Sequence, residues 1–590
     1  MEDREYPSNT NAWGGYSQML FRYKPDIFTD IPGIKHYFPQ AVPVVLKLCR
    51  MAGIAGTVDR MVNWNESNAK ISPGLVIESL ATCIMCNRKP LWRVQEFWAG
   101  QDLAMLFPGV ELSSGQLNDD ACGHALDKTS EINMPGLIST CCLTMLQEHD
   151  LSILTGHFDT TSVSVQGAYD GEPYGDFDIC YGNSKDKRPD LKQLMIGAGV
   201  QQDGLPIMGQ ILAGNTSDKR WNPKAALEMK KLFDDQGFKD IIFVSDCATV
   251  STTSLENLTA EGVQFISRLP ENFNLANHLK ETAFAKDRWL SIGALSDKRG
   301  AANYRTYAAK RKIGNRRYDF LVVQSSALEM RKAKTLQKRI AKQQESLAKD
   351  ARELSAQSFA CAPDAQRALG DLKEKARRLG FVSEGTVETV VDLSYPHKGR
   401  PRKGEEPTAR STYRSNLKIG EIAPEHYERL CQMESTFVLI SSIKKEINYD
   451  DRKILTEYKH QRNIEQRFRF IKGPVYLGPV YLHNKSRINT LGFVFILVLL
   501  IACYLEYRVR QNIKKLGVGV YQPGSKPTGT PSTKTIMEEL SLVRVDSVEG
   551  KRTFPRDLNL RGLDIVVLAG FDPGEIYLKP LPLVNTAMGP

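Results

Sequence analysis

Three carboxylates stand where their residue type is unusual and where chemistry has a use for them. In "HFDTTSVSVQG", His157 to Gly167, Asp159 interrupts a strand-like run. Aspartate is depleted from strands, and a buried carboxylate is costly without a partner. In "FVSDCATVS", Asp246 follows the short apolar run "DIIFVS", which reads as a central strand buried on both faces. Ligands gather outside the carboxyl ends of parallel strands in open sheets, so this is a place for a metal or a substrate. Glu465 lies in "EYKHQRNIEQRFRFIKGP". At about 100° per residue, Tyr458, Gln461, Glu465 and Lys472 share one side of a helix, while Ile464, Phe468 and Ile471 form the apolar stripe that anchors it and turns Glu465 towards the sheet. Three acids brought together repel unless cations sit among them. Hard divalent ions with oxygen ligands suit such a site, and two of them serve an in-line phosphoryl displacement, which is chemistry for a nucleic-acid backbone. Asp170, Asp176, Asp178, Asp186 and Asp190 lie in a Gly-rich stretch and are expected as caps and turns.

The elements that must position these acids follow from periodicity and punctuation. "LSILTGHFDTTSVSV", "LKQLMIGAGV" (191–200) and "LPIMGQILAG" (205–214) read as three strands with turns between them. A helix follows, with Asn222 as its expected cap, Pro223 at its first position and Gly237 beyond its end. "DIIFVSD", a further helix and "VQFISRL" (263–269) complete an order of three strands, helix, strand, helix, strand, which implies a mixed sheet with helices against its faces. Between residues 36 and 150 the pattern is helical, with Ser72 and Pro73 a cap and first-turn pair. From 273 to 438 a different module is expected, with a helical hairpin whose seam is Leu336, Ile340, Leu347 and Leu354 on one arm and Leu369, Leu372, Ala376 and Leu379 on the other. "PHKGRPRKGEEPTARST" (396–412) reads as a basic surface loop, "STFVLISS" (435–442) as a strand rejoining the core, and 516–590 as a linker and tail after the core's second part at 439–515. Residues 1–35 read as an extension.

Composition narrows the classes. A net charge of +10 fits a polyanionic partner. Eleven cysteines without regular spacing describe no disulfide framework and point to a reducing compartment; Cys83 and Cys86 are expected as buried helix residues. The apolar run Leu491–Leu505 falls short of the roughly 20 residues a spanning helix needs, so it is expected as a core helix and no membrane partner is expected.

"FDTTS", "GNSKDKRPDLKQ", "GLPIMGQILAGNTSD", "VSDCATVS" and "YKHQRNIEQRFRFIKGPVYLGPVYL" together resemble the DDE transposases of bacterial and archaeal insertion sequences, in the subgroup with Tyr-x2-Arg-x3-Glu-x6-Lys around the catalytic glutamate. "LNDDACGHALDK" (117–128) resembles the accessory domain that precedes the catalytic domain in one branch of that family. The resemblance spans roughly residues 36–510. It implies an α/β fold: a ribonuclease-H-like mixed-sheet catalytic core (151–272 and 439–515), a helical N-terminal domain that binds DNA ends (36–150) and a large insertion between the second aspartate and the glutamate (273–438). It implies Asp159, Asp246 and Glu465 as catalytic residues and metal ligands, Mg²⁺ (or Mn²⁺) as two ions, and Tyr458, Arg462 and Lys472 as DNA contacts. The implied partners are double-stranded DNA, as element ends and target, and a second copy in a synaptic homodimer, in the cytoplasm at the nucleoid. The implied reaction is hydrolysis at the element end and attack of the freed 3′-hydroxyl on target DNA. The alternatives are an inactive transposase-derived DNA-binding protein and a ribonuclease-H-like nuclease without strand transfer. One position departs from the motif: Gln461 stands where arginine is expected, and Arg462 is next to it.

Overall fold

The computed structural model describes residues 35–583 except 66–70, 88, 149–152, 297–298, 328–329, 395–405, 407, 445–446, 462–463, 466, 469–481 and 523–524. The fold is mixed α/β, and the chain divides into two compact units, the second made of residues 268–441 with 450–452.

The first unit opens with helices, among them α1 (Val42–Met51), α2 (Pro73–Asn87) and α3 (Asp119–Ser130). α2 starts where its punctuation predicts: Ser72 Oγ accepts from the Leu75 amide at 3.1 Å, and Pro73 takes a position where a missing N–H costs nothing. Cys83 is buried within it and Cys86 half-buried. Residues expected as a tail are built into this helical part. Val545–Val548 pairs antiparallel with Lys35–Tyr37, and the Tyr577 hydroxyl donates to the Gln40 carbonyl at 2.6 Å. Arg50, only 5% exposed, donates to the carbonyls of Leu581 (2.9 Å), Pro582 (3.0 Å) and Leu106 (2.6 Å) and lies 3.4 Å from Glu78.

The same unit holds five neighbouring strands of a mixed sheet, β1 (Thr155–Val165), β2 (Lys192–Gln201), β3 (Pro206–Ala213), β4 (Ile242–Ser245) and β5 (Gln264–Arg268), in the order β3-β2-β1-β4-β5. The first three strands form an antiparallel meander, and β4 and β5 run parallel to β1. α4 (Asp218–Asp235) and α5 (Thr252–Ala260) make the crossovers. α4 begins a turn before the expected cap: Ser217 is its N-cap, and Asn222 is buried inside the helix with Pro223. Packing overrides the local signal here, because Trp221 covers Gly197 of β2 and lies 6.1 Å from the Phe158 ring, which commits the preceding residues to helix.

α6 (Asp451–His460) and α7 (Lys485–Leu516) follow. α7 is buried along Leu491–Leu505 and longer than its apolar run; Asn484 caps its start and Gly517, at φ 69°, ends it. It lies against α2, α3 and β3, where a Cβ on Gly209 would sit 2.7 Å from Ile496.

In the second unit, β6 (Leu290–Ala294), β7 (Asn303–Ile313), β8 (Arg316–Ser325) and β11 (Thr436–Ser442) are antiparallel neighbours in the order β11-β8-β7-β6. Helices Met330–Ala356 and Ala362–Arg378 form the expected hairpin, with Leu336, Leu347, Leu354, Leu369 and Ala376 buried. They pack on a ribbon absent from the sequence reading, β9 (Phe381–Ser394) with β10 (Thr408–Ile422). The expected basic loop overlaps β10 at 408–412, and most of the rest of it lies outside the described residues.

Candidate functional site

β1 is seated by small residues that admit a large one. Phe158 stacks on Phe243 of β4 at 4.7 Å, and a Cβ on its β2 partner Gly199 would lie 2.5 Å from its ring. This packing fixes the backbone one residue before Asp159.

Phe158↔Ser245 is the last pair of the parallel β1–β4 ladder, so Asp159 and Asp246 are the next residues on neighbouring strands, whose spacing is about 5 Å. Asp246 keeps extended geometry (φ −74°, ψ 177°) and opens the short turn Cys247–Thr249. Its carbonyl accepts from Ser267 Oγ at 3.0 Å, while its side chain is exposed.

Asp159 is held differently. Its side chain is 28% exposed and its carboxylate accepts from the Thr160 amide at 2.8 Å. Lys185, from the loop after β1, places its ammonium among oxygens: the Thr160 carbonyl (2.6 Å), Thr160 Oγ1 (3.2 Å), Asp159 Oδ1 (3.4 Å) and Asp218 Oδ2 (3.0 Å). Thr160 Oγ1 also donates to Asp218. Burial pushes the Asp159 carboxyl up to about 6, and the neighbouring Asp218 adds to this, while Lys185 opposes them.

The helix α6 grips β1 just before Asp159. Glu457 Oε2 accepts from Thr155 Oγ1 at 3.1 Å and lies 3.7 Å from His157 Nε2 and 3.6 Å from His460 Nδ1. Burial pushes the Glu457 carboxyl up, but the two imidazoles together outweigh it and bring it down to about 2; Glu457 in turn raises His460. Gln461 Nε2 donates to the Phe158 carbonyl at 2.8 Å. Tyr458 packs, partly buried, on Ile242, Val244 and Ile266 of β4 and β5. Glu465 is helical and exposed, between buried Ile464 and Phe468. Arg467 Nη1 meets Glu506 of α7 at 2.8 Å. Arg462 and Lys472 lie outside the described residues.

β1 and β4 thus bring Asp159 and Asp246 side by side, and Gln461, four residues before Glu465, bonds to the same strand. Among the described residues no group of three or more His, Cys, Asp or Glu side chains is placed to hold a metal ion. Sequence reasoning missed Lys185, Asp218 and Glu457. Lys185 and Asp218 lie inside the quoted stretches "GNSKDKRPDLKQ" and "GLPIMGQILAGNTSD", but periodicity says nothing of a loop folding back on a strand.

A family model described as a domain of unknown function (DUF4277) matches residues 38–143. No curated protein matches the chain. Among solved structures, a piggyBac transposase in a synaptic complex with hairpin DNA aligns over 85% of this chain and 79% of its own, at 9% identity and a TM-score of 0.35.

Proposed function

We propose that this chain is a DDE-type DNA transposase with a ribonuclease-H-like core, cutting DNA at the ends of its element and joining the freed 3′-hydroxyl to target DNA. The observation that carries this reading is the register of β1 and β4, which sets Asp159 beside Asp246 at the carboxyl end of a parallel strand. The DUF4277 match at residues 38–143 contains the stretch 117–128 that resembles the family's accessory domain.

By donor type the acids suit Mg²⁺, or Mn²⁺ in its place: Asp159 and Asp246 offer hard oxygens, and Asp159 sits in an oxygen-lined seat that a cationic ammonium fills. With Glu465 brought to the two aspartates, the three would hold two ions, which would supply positive charge for the attacking and leaving oxygens of the phosphodiester. The protein's own part is positioning. β1 and β4 fix two carboxylates, and at neutral pH Asp159 is ionised, since its carboxyl titrates near 6. Tyr458, Arg462 and Lys472 would be DNA contacts by the resemblance, and the helical domain at 36–150 would recognise the element ends, with affinity that falls steeply with salt. Two copies hold two ends in a synaptic complex, at the nucleoid.

The test is cleavage of end DNA, taken from the inverted repeats flanking the gene, by Asp159→Asn, Asp246→Asn and Glu465→Gln made singly. The expected result is loss of nicking with DNA binding kept; retained nicking in all three variants overturns the assignment.

A further inference from the structure

A β-hairpin of the second unit ends in concentrated positive charge. "KRKIGNRR", Lys310 to Arg317, holds five basic residues and no acid. β7 and β8 are joined there by the two-residue turn Gly314–Asn315, with Gly314 at φ 57° in the first central position, where a tight hairpin favours glycine. The end of the hairpin outruns its neighbours: the ladder of β7 with β6 stops at Thr306, and that of β8 with β11 stops at Asp319. Ile313 and Tyr318 are buried and hold the end in place. Residues directly opposite in an antiparallel ladder share a face, so Lys310, Lys312 and Arg317 lie together with Asp319. Asp319 meets Lys310 at 3.0 Å. Lys312 and Arg317 face each other, both exposed, and with exposed Arg316 at the turn they have no acidic partner among the described residues. Like charges set directly across a ladder cost stability. The β9–β10 ribbon of the same unit does the reverse, placing Glu384, Glu388 and Asp392 opposite Lys418, Arg414 and Arg410. A charged ribbon that only meets water needs nothing beyond that second arrangement.

We infer that the end of the β7–β8 hairpin is a docking surface for double-stranded DNA, with Lys312, Arg316 and Arg317 meeting phosphates of the duplex backbone. The choice of DNA among polyanions rests on the transposase reading. Each cation that neutralises a phosphate releases a counterion, so a duplex turns an unfavourable cross-strand pair into a favourable one. The major groove also admits a two-stranded ribbon. A bilayer fits less well, because the tip exposes no large apolar side chain to enter it: Ile313 is 8% exposed and Tyr318 3%.

The experiment uses the full chain in EDTA, so that no divalent metal takes part, and follows a fluorescent duplex of arbitrary sequence by anisotropy over a series of KCl concentrations. Lys312→Gln, Arg316→Gln and Arg317→Gln combined should weaken binding about tenfold and flatten the slope of log affinity against log salt by about 2 to 3. The melting temperature should equal or exceed that of wild type, since a repulsive pair is gone. If the triple variant melts early, Lys312→Gln alone decides the question, with an expected flattening of about 1. Arg410→Gln, Arg414→Gln and Lys418→Gln combined remove the same charge from the ribbon and should leave affinity within about twofold of wild type. Equal losses in the two triple variants overturn the inference, because net charge alone then accounts for both. Unchanged affinity and slope in the hairpin variant overturn it too, as does loss of binding to phosphatidylserine vesicles with duplex binding kept, which makes the surface a membrane contact. A wild-type chain that binds the duplex but does not nick end DNA in Mg²⁺ sinks the transposase reading and leaves this contact standing.

Discussion

Two regions of the molecule carry acids in β-strands, and they hold them in opposite ways. In the β9–β10 ribbon, Glu384, Glu388 and Asp392 are exposed and stand across the ladder from Lys418, Arg414 and Arg410. Water and an opposed cation make each of them cheap. In β1, Asp159 lies in a sheet of apolar neighbours, shares one ammonium with Asp218, and titrates near 6. An acid kept in that second setting works against the stability of its own strand, and such sites are where function is expected.

The sharpest way to break the comparison is Asp159→Asn. Nicking should fall roughly a thousandfold, about 4 kcal/mol of barrier. Stability should move the other way. The folded carboxyl titrates near 6, above its ordinary 3.8, so its contribution is full below about pH 4 and is lost as pH rises through 6. At pH 7 the variant should therefore melt higher than wild type, with the difference gone at pH 4; a lower melting point at both pH values would contradict the account.

Gly199→Ala tests the seat rather than the acid. Its Cβ would meet the Phe158 ring at 2.5 Å, and calorimetry should show a loss of about 1–3 kcal/mol. Lys185→Ala leaves Asp159 and Asp218 facing each other. After allowance for solvent screening at a side chain 35% exposed, about 1 kcal/mol should be lost at pH 7 in urea titrations, and less at pH 5, where Asp159 takes up a proton. In the ribbon, Glu388→Ala should cost less than about 0.5 kcal/mol, and added salt should erase even that. Equal effects at Lys185 and Glu388 would dissolve the contrast between the two regions.

Much of the core was legible because it is written in short-range pattern. The strand order and the place of Asp246 beyond a buried strand follow from binary periodicity. Ile464 and Phe468 are buried as their stripe predicts, while Glu465, expected to turn towards the sheet, is exposed. What escaped depends on contacts between distant segments. Lys185 returns from a loop to Asp159, Glu457 meets Thr155 from across the chain, and Trp221 draws Asn222 into α4 against its capping preference. The ribbon escaped for another reason: its strands alternate polar residues on exposed faces, and its basic composition reads as loop.

The carbonyls that satisfy Arg50 belong to Leu581 and Pro582. During synthesis Arg50 and Glu78 leave the ribosome about 500 residues before those carbonyls exist, and a buried ion pair lacking its remaining hydrogen bonds is costly. The helices that carry Arg50 and Glu78 therefore settle only once residues 581 and 582 have been made, and a product that stops short of them would carry an unfinished helical domain.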